Sequence, residues 1–333
     1  MGLFTKKIGP TFKKRGHRAE EYIQKLKVLN EEATGKIKED IEKELMLQRA
    51  GLKGENEITY ALEHSDMDMY ILQDIYLEHI SSDSKLAAQI DYIIITRKNI
   101  YIIECKNLSG SIEIANDGSF IRNFMGKRER IPSPVEQNKR HLGVINTVYE
   151  ATQRNTIIKQ LFENSLRERC RTLVVLANTE TMLYAKYAKK EVKEQIVYVD
   201  LLVSRIRELD DQVKTVNDWK EMSKLVEFFL SVDKSEKVAY FGNRYEKLVA
   251  EVDEQKKIKT KSREQLIKEL KAFRLEQSRL EKKKPYCIFT DAQMENLIDK
   301  NPHSKEELLD VSGFGKIKVE QYGDFILKIL QDS

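Results

Sequence analysis

Two short hydrophobic runs near position 100 form the clearest pattern along the chain. Ile93–Thr96 and Ile100–Ile103 consist of β-branched and aromatic residues, and only the polar segment Arg97–Asn99 separates them. Residues of this kind favour extended strands, and a connection this short favours a hairpin. The pattern therefore predicts two adjacent antiparallel strands.

The length of the hairpin connection decides which polar side chains share a face at its open end. Side chains alternate between the two faces of a strand. With two or four loop residues, Asp91 shares a face with Glu104 and Lys106, whereas three loop residues without a bulge would separate them. In the first case, Ile103 and Cys105 point to the other face, into apolar packing.

These three polar residues are the types that a metal-dependent phosphodiesterase needs. Two carboxylates that converge on one point repel each other unless a cation lies between them. Mg²⁺ or Mn²⁺ accepts oxygen ligands, activates water and stabilises charge on a phosphate. Lys106 would orient the attacking water or neutralise the phosphate. Taken alone, however, the spacing of Asp91, Glu104 and Lys106 fits a surface hairpin with a cross-strand ion pair better.

Two flanking segments favour the catalytic interpretation. Gly51–Ile58 contains glycines that allow a tight approach before a helix, which we predict to run to about Glu63. Ser133–Gln137 has the pattern of a capping box with proline at the first helical position. The helix that follows would place Gln137, Arg140 and His141 on one face.

Taken in order, these motifs resemble a known family. Gly-x-x-Gly-Glu at 51–55, Gln-Ile-Asp at 89–91, Ile-Glu-Cys-Lys-Asn at 103–107 and Pro-x-x-Gln at 134–137 are similar to the nuclease-related (NERD) domain, a branch of the PD-(D/E)XK nuclease superfamily. The resemblance covers roughly residues 50 to 180, and the ordered set is more specific than any single motif.

The resemblance implies a role for five residues. Asp91 and Glu104 would be metal ligands, joined by Glu55 from the first helix. Lys106 would be the catalytic lysine, and Gln137 would contact the water or the phosphate. For Glu55 and Gln137, a simpler structural interpretation has equal weight. Glu55 would be an acid in a first helical turn, which the helix dipole favours. Gln137 would be a solvated helix residue.

The C-terminal segment shows a second pattern, which is wholly helical. Capping boxes at Thr290–Gln293 and Ser304–Glu307 precede a glycine-containing turn at Val311–Lys316 and a last helix. This segment resembles an HRDC domain, the small module at the C-terminus of RecQ-type helicases and RNase D, over about residues 283–331. Its apolar pattern comprises Leu297, Leu308, Leu309, Val311, Phe314, Val319, Tyr322 and Ile326.

The sequence of this module is compatible with two kinds of partner, nucleic acid and protein. Gly313 and Gly315 would present backbone N–H groups to a phosphate at a helix start, with Lys316 and Lys318 beside them. Acids outnumber bases across the module, which weakens its attraction for a polyanion. The glycines would serve equally well by permitting the turn between packed helices.

The rest of the chain completes the predicted architecture. Arg171–Ala177 and Gln195–Val199 have the pattern of buried strands that extend the sheet. Residues from about Ala19 to Arg49 predict a charged helix. A basic arm precedes it, which would contact phosphates or a membrane surface, or remain a tail. The cations of this arm are Lys6, Lys7, Lys13, Lys14, Arg15 and Arg18. An apolar stripe that includes Leu270 and Phe273 predicts either a helix that packs on a neighbouring helix or a short coiled coil between chains. The oligomeric state is therefore open.

Composition limits the class of protein. The 333 residues, 41% hydrophobic and 34% charged with a net charge of +4, suffice for two domains and connecting helices. We find no apolar run of transmembrane length and no signal-peptide pattern, and the three cysteines form neither a disulfide framework nor a zinc motif. We therefore expect a cytoplasmic protein.

These observations combine into one expectation. The fold would be α/β, with a restriction-endonuclease-like mixed sheet flanked by helices, a charged helical linker and a small all-α module. We expect a Mg²⁺- or Mn²⁺-dependent deoxyribonuclease; the alternative is a nucleic-acid-binding or partner-docking scaffold with little or no catalysis. The predicted divisions are 1–49 for the arm and charged helix, 50–210 for the nuclease domain, 211–282 for the linker and 283–333 for the HRDC-like module.

Overall fold

The computed structural model describes residues 8–81, 85–152, 169–238, 240, 243–259 and 262–331. The chain divides into two compact units, with the boundary between Glu246 and Lys247. Lys6 and Lys7 of the predicted basic arm lie outside the described residues. None of the helices in these ranges combines the length and the apolar character that crossing a bilayer requires.

The first unit is a mixed α/β structure. Its strands are β1 (Pro10–Lys14), β2 (Met69–Ile80), β3 (Lys85–Ile95), β4 (Ile100–Lys106), β5 (Ser111–Ile114), β6 (Phe120–Phe124), β7 (Lys127–Ile131), β8 (Cys170–Leu176), β9 (Met182–Tyr184) and β10 (Ile196–Tyr198). Its helices are α1 (Arg18–Glu32), α2 (Gly35–Glu63), α3 (Pro134–Thr152), α4 (Lys190–Lys193), α5 (Leu202–Asp211) and α6 (Trp219–Val232).

The central sheet has the strand order β1-β2-β3-β4-β8-β10. Strands β2, β3 and β4 are antiparallel to one another, whereas β8 runs parallel to β4 and to β10. This is the mixed sheet that the sequence predicts. Both of its faces are covered by helices, which explains why β3 and β4 are almost continuously apolar.

The predicted hairpin is confirmed, and its register is clear. Ile95 pairs with Ile100 and Tyr92 pairs with Ile103. Four residues, Thr96–Asn99, therefore connect the two strands. Alternation along the strands sends Ile93 and Ile102 into one core with α3 and α6, and Tyr92 and Ile103 into the other core with α2 and α5.

The N-terminal basic segment is partly built into the fold. β1 pairs in parallel with β2 and forms an edge of the central sheet. The Lys14 ammonium lies 2.9 Å from Asp233 and donates a hydrogen bond to Ser235 Oγ at 2.7 Å. Arg18 is buried and pairs with Asp74. These two cations are therefore used inside the protein and are not available to a phosphate or a membrane.

The helices before the β3–β4 hairpin differ from the prediction. One long helix, α2, includes Gly51 and Gly54, which we expected to precede a separate helix. A glycine inside a helix costs only about 1 kcal/mol relative to alanine. Burial of Ile41, Leu45 and Ile58 along one side of α2 outweighs that cost.

Gly54 allows α2 to lie against the end of β4. A Cβ atom at this position would lie 2.6 Å from Asn107 Cβ and 3.1 Å from Cys105 Sγ. Gly51, one turn earlier, has no atom within 4 Å of the corresponding position. The close approach therefore depends on Gly54 and not on Gly51.

A second sheet has three of its four strands, β5, β6 and β7, between β4 and α3 in the chain. Its order is β7-β6-β5-β9, and its core is formed by Ile112, Ile114 and Phe120 with residues of neighbouring elements. This sheet was not predicted, because its strands are only three to five residues long and mix polar with apolar residues. The segment with β5, β6 and β7 connects Lys106 to Gln137.

The second unit is all-helical. Its elements are the part of α7 (Asn243–Lys259) from Lys247 onwards, α8 (Arg263–Leu280), α9 (Pro285–Ile288), α10 (Asp291–Lys300), α11 (Lys305–Leu309) and α12 (Lys316–Gln331). Of the predicted apolar pattern, only Leu309 is not buried; it is 42% exposed. The stripe on α8 docks on this core through Leu270 and Phe273, as one of the two predicted alternatives requires.

The two glycines of α2 give a matched test of this packing. We expect Gly54→Ala to destabilise the protein by about 1–3 kcal/mol, because the added methyl group pushes α2 away from β4. Gly51→Ala should instead stabilise it by about 0.5–1 kcal/mol. Urea unfolding of both variants measures the difference, and equal effects of the two substitutions would contradict the close approach.

Candidate functional site

Asp91 and Glu104 lie opposite each other at the open end of the hairpin. They are the next residues beyond the Tyr92–Ile103 pair, so their side chains share one face of the sheet. The Cys105 backbone N–H donates a hydrogen bond to Asp91 Oδ2 at 2.7 Å. Lys106 forms an ion pair with Glu104 on the same face. The Cys105 side chain packs against the opposite core.

Glu104 has one carboxylate oxygen that the protein leaves without a hydrogen-bond partner. The residue is 2% exposed, and its Oε1 accepts a hydrogen bond from the Lys106 ammonium. Within the described residues, Oε2 accepts no hydrogen bond, and His141 Nδ1 lies 3.9 Å from it. Such a buried oxygen costs about 1–3 kcal/mol when it is unsatisfied. The arrangement favours a cation at this position.

Helix α3 supplies two further side chains to the site. Pro134 occupies its start, and Ser133 Oγ accepts a hydrogen bond from the Glu136 N–H at 3.3 Å, as the predicted cap requires. One turn later, Gln137 Oε1 accepts a hydrogen bond from Lys106 Nζ at 3.3 Å. Burial lowers the pKa of His141 to about 4, with help from nearby positive charges, so its ring is neutral near pH 7.

Glu55 reaches the same end of the hairpin from α2. Tyr92 donates its hydroxyl hydrogen to the backbone carbonyl oxygen of Glu55 at 2.7 Å, which ties this turn of α2 to β3. Burial, followed by the charge of Asp74, raises the pKa of Glu55 to about 7. The charge of Glu104 adds to this effect. Glu55 therefore lies within electrostatic reach of the carboxylate pair.

The carboxylates are costly to ionise together. Burial and the charges of Glu104 and Glu55 raise the pKa of Asp91 well above its ordinary value. Burial likewise raises the pKa of Glu104, against the opposing effect of Lys106. For Lys106, burial disfavours the charged form, but the attraction of Glu104 and Asp91 outweighs it and raises the pKa. A further positive charge would relieve this repulsion.

The described residues contain no group of three acidic, histidine or cysteine side chains close enough to form a ready-made metal centre. An ion held here would therefore rely on Asp91 and Glu104, with other positions filled by water or phosphate oxygens. Mg²⁺ is commonly bound in this way, through one or two carboxylates. The unpartnered oxygen of Glu104 and the facing carboxylate of Asp91 fit such an ion. Glu55 as a third ligand remains a prediction.

A buried ion pair beside the site was not predicted. Arg18 donates hydrogen bonds to Asp74, with Arg18 Nε 2.6 Å from Asp74 Oδ2. Gln89 of the Gln-Ile-Asp motif also donates to Asp74, at 3.1 Å. Asp74 has a positive φ of 54° and lies across from Asp91, where the pairing of β2 with β3 is interrupted. No sequence signal links Arg18 to Asp74, because 56 residues separate them.

The glycine turn of the second unit has a clear packing role. Gly313 has a φ of 88°, and a Cβ atom there would lie 1.9 Å from Gln293 Nε2. Gln293 also accepts a hydrogen bond from Lys318 Nζ at 3.2 Å. Gly315 has no neighbour within 4 Å of its Cβ position, and Lys316 is exposed. Phosphate binding by these four residues remains a prediction.

Comparison with known proteins identifies the two domains. The model of the nuclease-related domain, NERD, matches residues 50–177, and the model of the HRDC domain matches residues 263–330. The chain therefore carries a nuclease-related domain followed by an HRDC domain, as the motifs predicted.

One curated relative has a much larger chain. It is "ATP-dependent DNA helicase Q-like 4B" of Arabidopsis thaliana, which is 42% identical over 48 residues. The match covers 14% of this chain and 4% of the helicase. No solved structure shows a significant match to the chain.

The raised pKa of Glu55 predicts that the stability of the folded protein depends on pH. Between about pH 4.5 and 7 the unfolded chain releases a proton that the folded protein keeps, so stability falls as the pH rises through this range. We expect Glu55→Gln to be more stable than the wild type by about 2 kcal/mol at pH 8 and by little at pH 4.

Chemical unfolding at both pH values measures this effect. Glu57→Gln, at an exposed position of the same helix, is the control and should show no such difference. A constant difference between Glu55→Gln and the wild type across this pH range would show that Glu55 ionises normally.

Proposed function

We propose that this protein is a metal-dependent nuclease that hydrolyses phosphodiester bonds in DNA, and that its HRDC domain contributes to nucleic-acid binding. The proposal rests chiefly on the convergence of Asp91, Glu104 and Lys106 on one sheet face, with a buried carboxylate oxygen left unpartnered. The nuclease-related and HRDC domain matches support it independently.

Asp91 and Glu104 would hold Mg²⁺ or Mn²⁺. When bound, such an ion lowers the pKa of water and stabilises charge on the phosphate. In this structure, Glu104 forms an ion pair with Lys106. If the Glu104 carboxylate were bound to the ion instead, the Lys106 ammonium would be free to contact the substrate. Gln137 accepts a hydrogen bond from that ammonium and would hold it at the site after its ion pair with Glu104 is broken.

Lys106 would then neutralise the charge that develops on the phosphate. A lysine ammonium is a compact charge with rotatable donors, and the attraction of Glu104 and Asp91 outweighs burial and keeps it protonated. His141 is neutral near pH 7 and adds no second positive charge. The site therefore offers the Lys106 ammonium to the substrate beside the two carboxylates, and the charge of Arg140 also reaches Glu104.

Hydrolysis would proceed by direct attack of water on phosphorus, which breaks the P–O bond without a covalent enzyme intermediate. Cys105 is the nucleophilic side chain nearest in sequence, but it packs into the opposite core. Burial also raises the pKa of its thiol well above the ordinary value, which suppresses the reactive thiolate. A covalent route through Cys105 is therefore disfavoured.

A second candidate function follows from the lack of a three-residue metal group in the described part of the chain. In that case the nuclease-like fold would act as a nucleic-acid-binding or partner-docking scaffold, with Lys106 permanently engaged by Glu104. The cost of keeping buried carboxylates beside each other argues against it, because a scaffold gains nothing from that repulsion.

Cleavage of supercoiled and linear DNA in the presence of Mg²⁺ or Mn²⁺ tests the proposal. We expect Asp91→Ala and Lys106→Ala each to lower the rate at least a hundredfold, because one removes an ion ligand and the other removes transition-state stabilisation. Lys139→Ala, at an exposed position of α3, is the control and should cleave normally.

Circular dichroism should show that all variants remain folded. Equal cleavage by the wild type, Asp91→Ala and Lys106→Ala would reject the enzyme. DNA binding without any cleavage by the wild type would favour the scaffold.

A further inference from the structure

The hairpin formed by β6 and β7, residues 120–131, has an unusual tip. Met125 and Gly126 form a two-residue turn, and both have positive φ values, 50° and 76°. Such turns favour Asn-Gly or Gly-Gly, and a non-glycine residue with a side chain like that of methionine costs about 1–2 kcal/mol there. Met125 is 88% exposed, so burial of its side chain does not offset this unfavourable backbone conformation.

A second apolar residue and a cation lie beside Met125. Phe124 is 40% exposed, and the Arg122 guanidinium lies over its ring, 4.7 Å from the centroid. Arg122 also donates a hydrogen bond from Nε to the Ser109 carbonyl oxygen at 3.0 Å. The tip therefore presents two apolar side chains, one of which is held by an anchored arginine.

The hairpin is strongly basic. Residues 120–131 contain four basic residues and one acid, Glu129. Lys127 pairs with Glu129 at 2.7 Å and Arg128 pairs with Glu113 at 2.9 Å. Both pairs are largely exposed and contribute little to stability, so phosphates can replace the carboxylates at small cost.

The hairpin tip lies near the catalytic residues. Gly110 packs so closely against β6 that a Cβ atom there would lie 2.2 Å from the Asn123 carbonyl oxygen and 3.2 Å from Phe124 Cα. Gly110 is only four residues after Lys106, so at most about 14 Å of chain separates their Cα atoms. A duplex whose backbone lies at Lys106 would therefore extend past the tip.

We propose that this basic hairpin is a minor-groove wedge for double-stranded DNA, an inference that rests on the proposed nuclease function. Lys127 and Arg128 contact phosphates on either side of the groove, and Met125 enters between base pairs with Phe124 behind it. The undistorted minor groove is only about 6 Å wide, so entry of the hairpin tip requires the groove to widen as the inserted side chain unstacks and kinks a base step. Methionine and phenylalanine are typical of side chains that partly unstack a base step.

Charge and conformation both favour duplex DNA as the occupant. A protein partner would be served by the apolar tip, but it has no need for four cations along the same hairpin. Single-stranded DNA is usually held on broad aromatic platforms in a basic groove, whereas this tip is narrow and projects outward. The position of the wedge near Lys106 would bend or open the duplex close to the bond to be cut.

Substitution of Met125 separates the wedge from the turn. Met125→Asn gives the turn a residue that it favours and removes the apolar tip, whereas Met125→Leu keeps an apolar tip of similar size. We expect Met125→Asn to bind duplex DNA about tenfold more weakly than the wild type while its thermal stability rises or stays constant. Met125→Leu should bind within about twofold of the wild type.

Binding is measured by fluorescence anisotropy with the full chain carrying Asp91→Asn, so that cleavage does not interfere. A duplex containing 2-aminopurine reports unstacking directly. We expect its fluorescence to rise with the Asp91→Asn protein and with the added Met125→Leu, and not with the added Met125→Asn. Equal affinity and equal fluorescence for all three would overturn the wedge.

Two further arms keep this inference distinct from the nuclease itself. Lys127→Glu with Arg128→Glu should weaken duplex binding and make it less sensitive to salt, since two phosphate contacts are lost. If the protein shows no cleavage but these binding effects remain, the wedge stands and the enzyme does not. If Met125→Asn cleaves and binds duplex DNA as the wild type does, the enzyme stands and the wedge does not.

Discussion

The repulsion between two buried carboxylates is the constraint on which this structure depends. Asp91 and Glu104 face each other across adjacent strands, and burial makes their simultaneous ionisation costly. Lys106 compensates one of the two negative charges through its ion pair with Glu104. The remaining charge, together with the unpartnered Glu104 oxygen, leaves a site that a divalent cation would complete.

The surrounding fold keeps these groups together. The four-residue connection places both carboxylates on one face, and α3 brings Gln137 and the neutral His141 over them. Gly54 lets α2 approach the end of β4 and so carries Glu55 to the same end of the sheet. Three strands of the small second sheet are inserted between the strand that ends at Lys106 and α3, so they lie beside the site by chain connectivity.

Local patterns explain what the sequence predicted correctly. The isoleucine-rich strands, the helix caps and the apolar positions of the HRDC domain each depend on neighbours within a few residues. The ion pair of Arg18 with Asp74 could not be predicted, because it joins distant segments that only the sheet brings together. The second sheet was missed because its strands are short and of mixed polarity, and α2 was divided because its glycines suggested an end that packing overrides.

The binding of Mn²⁺ to the full chain tests the central claim most directly. Electron paramagnetic resonance and calorimetry of the wild type should show one Mn²⁺ per chain, competed by Mg²⁺. Asp91→Asn and Glu104→Gln should each abolish that site while the fold is retained. Binding of Mn²⁺ with equal affinity to the wild type and both variants would show that the carboxylate pair holds no ion, and the proposed chemistry would be wrong.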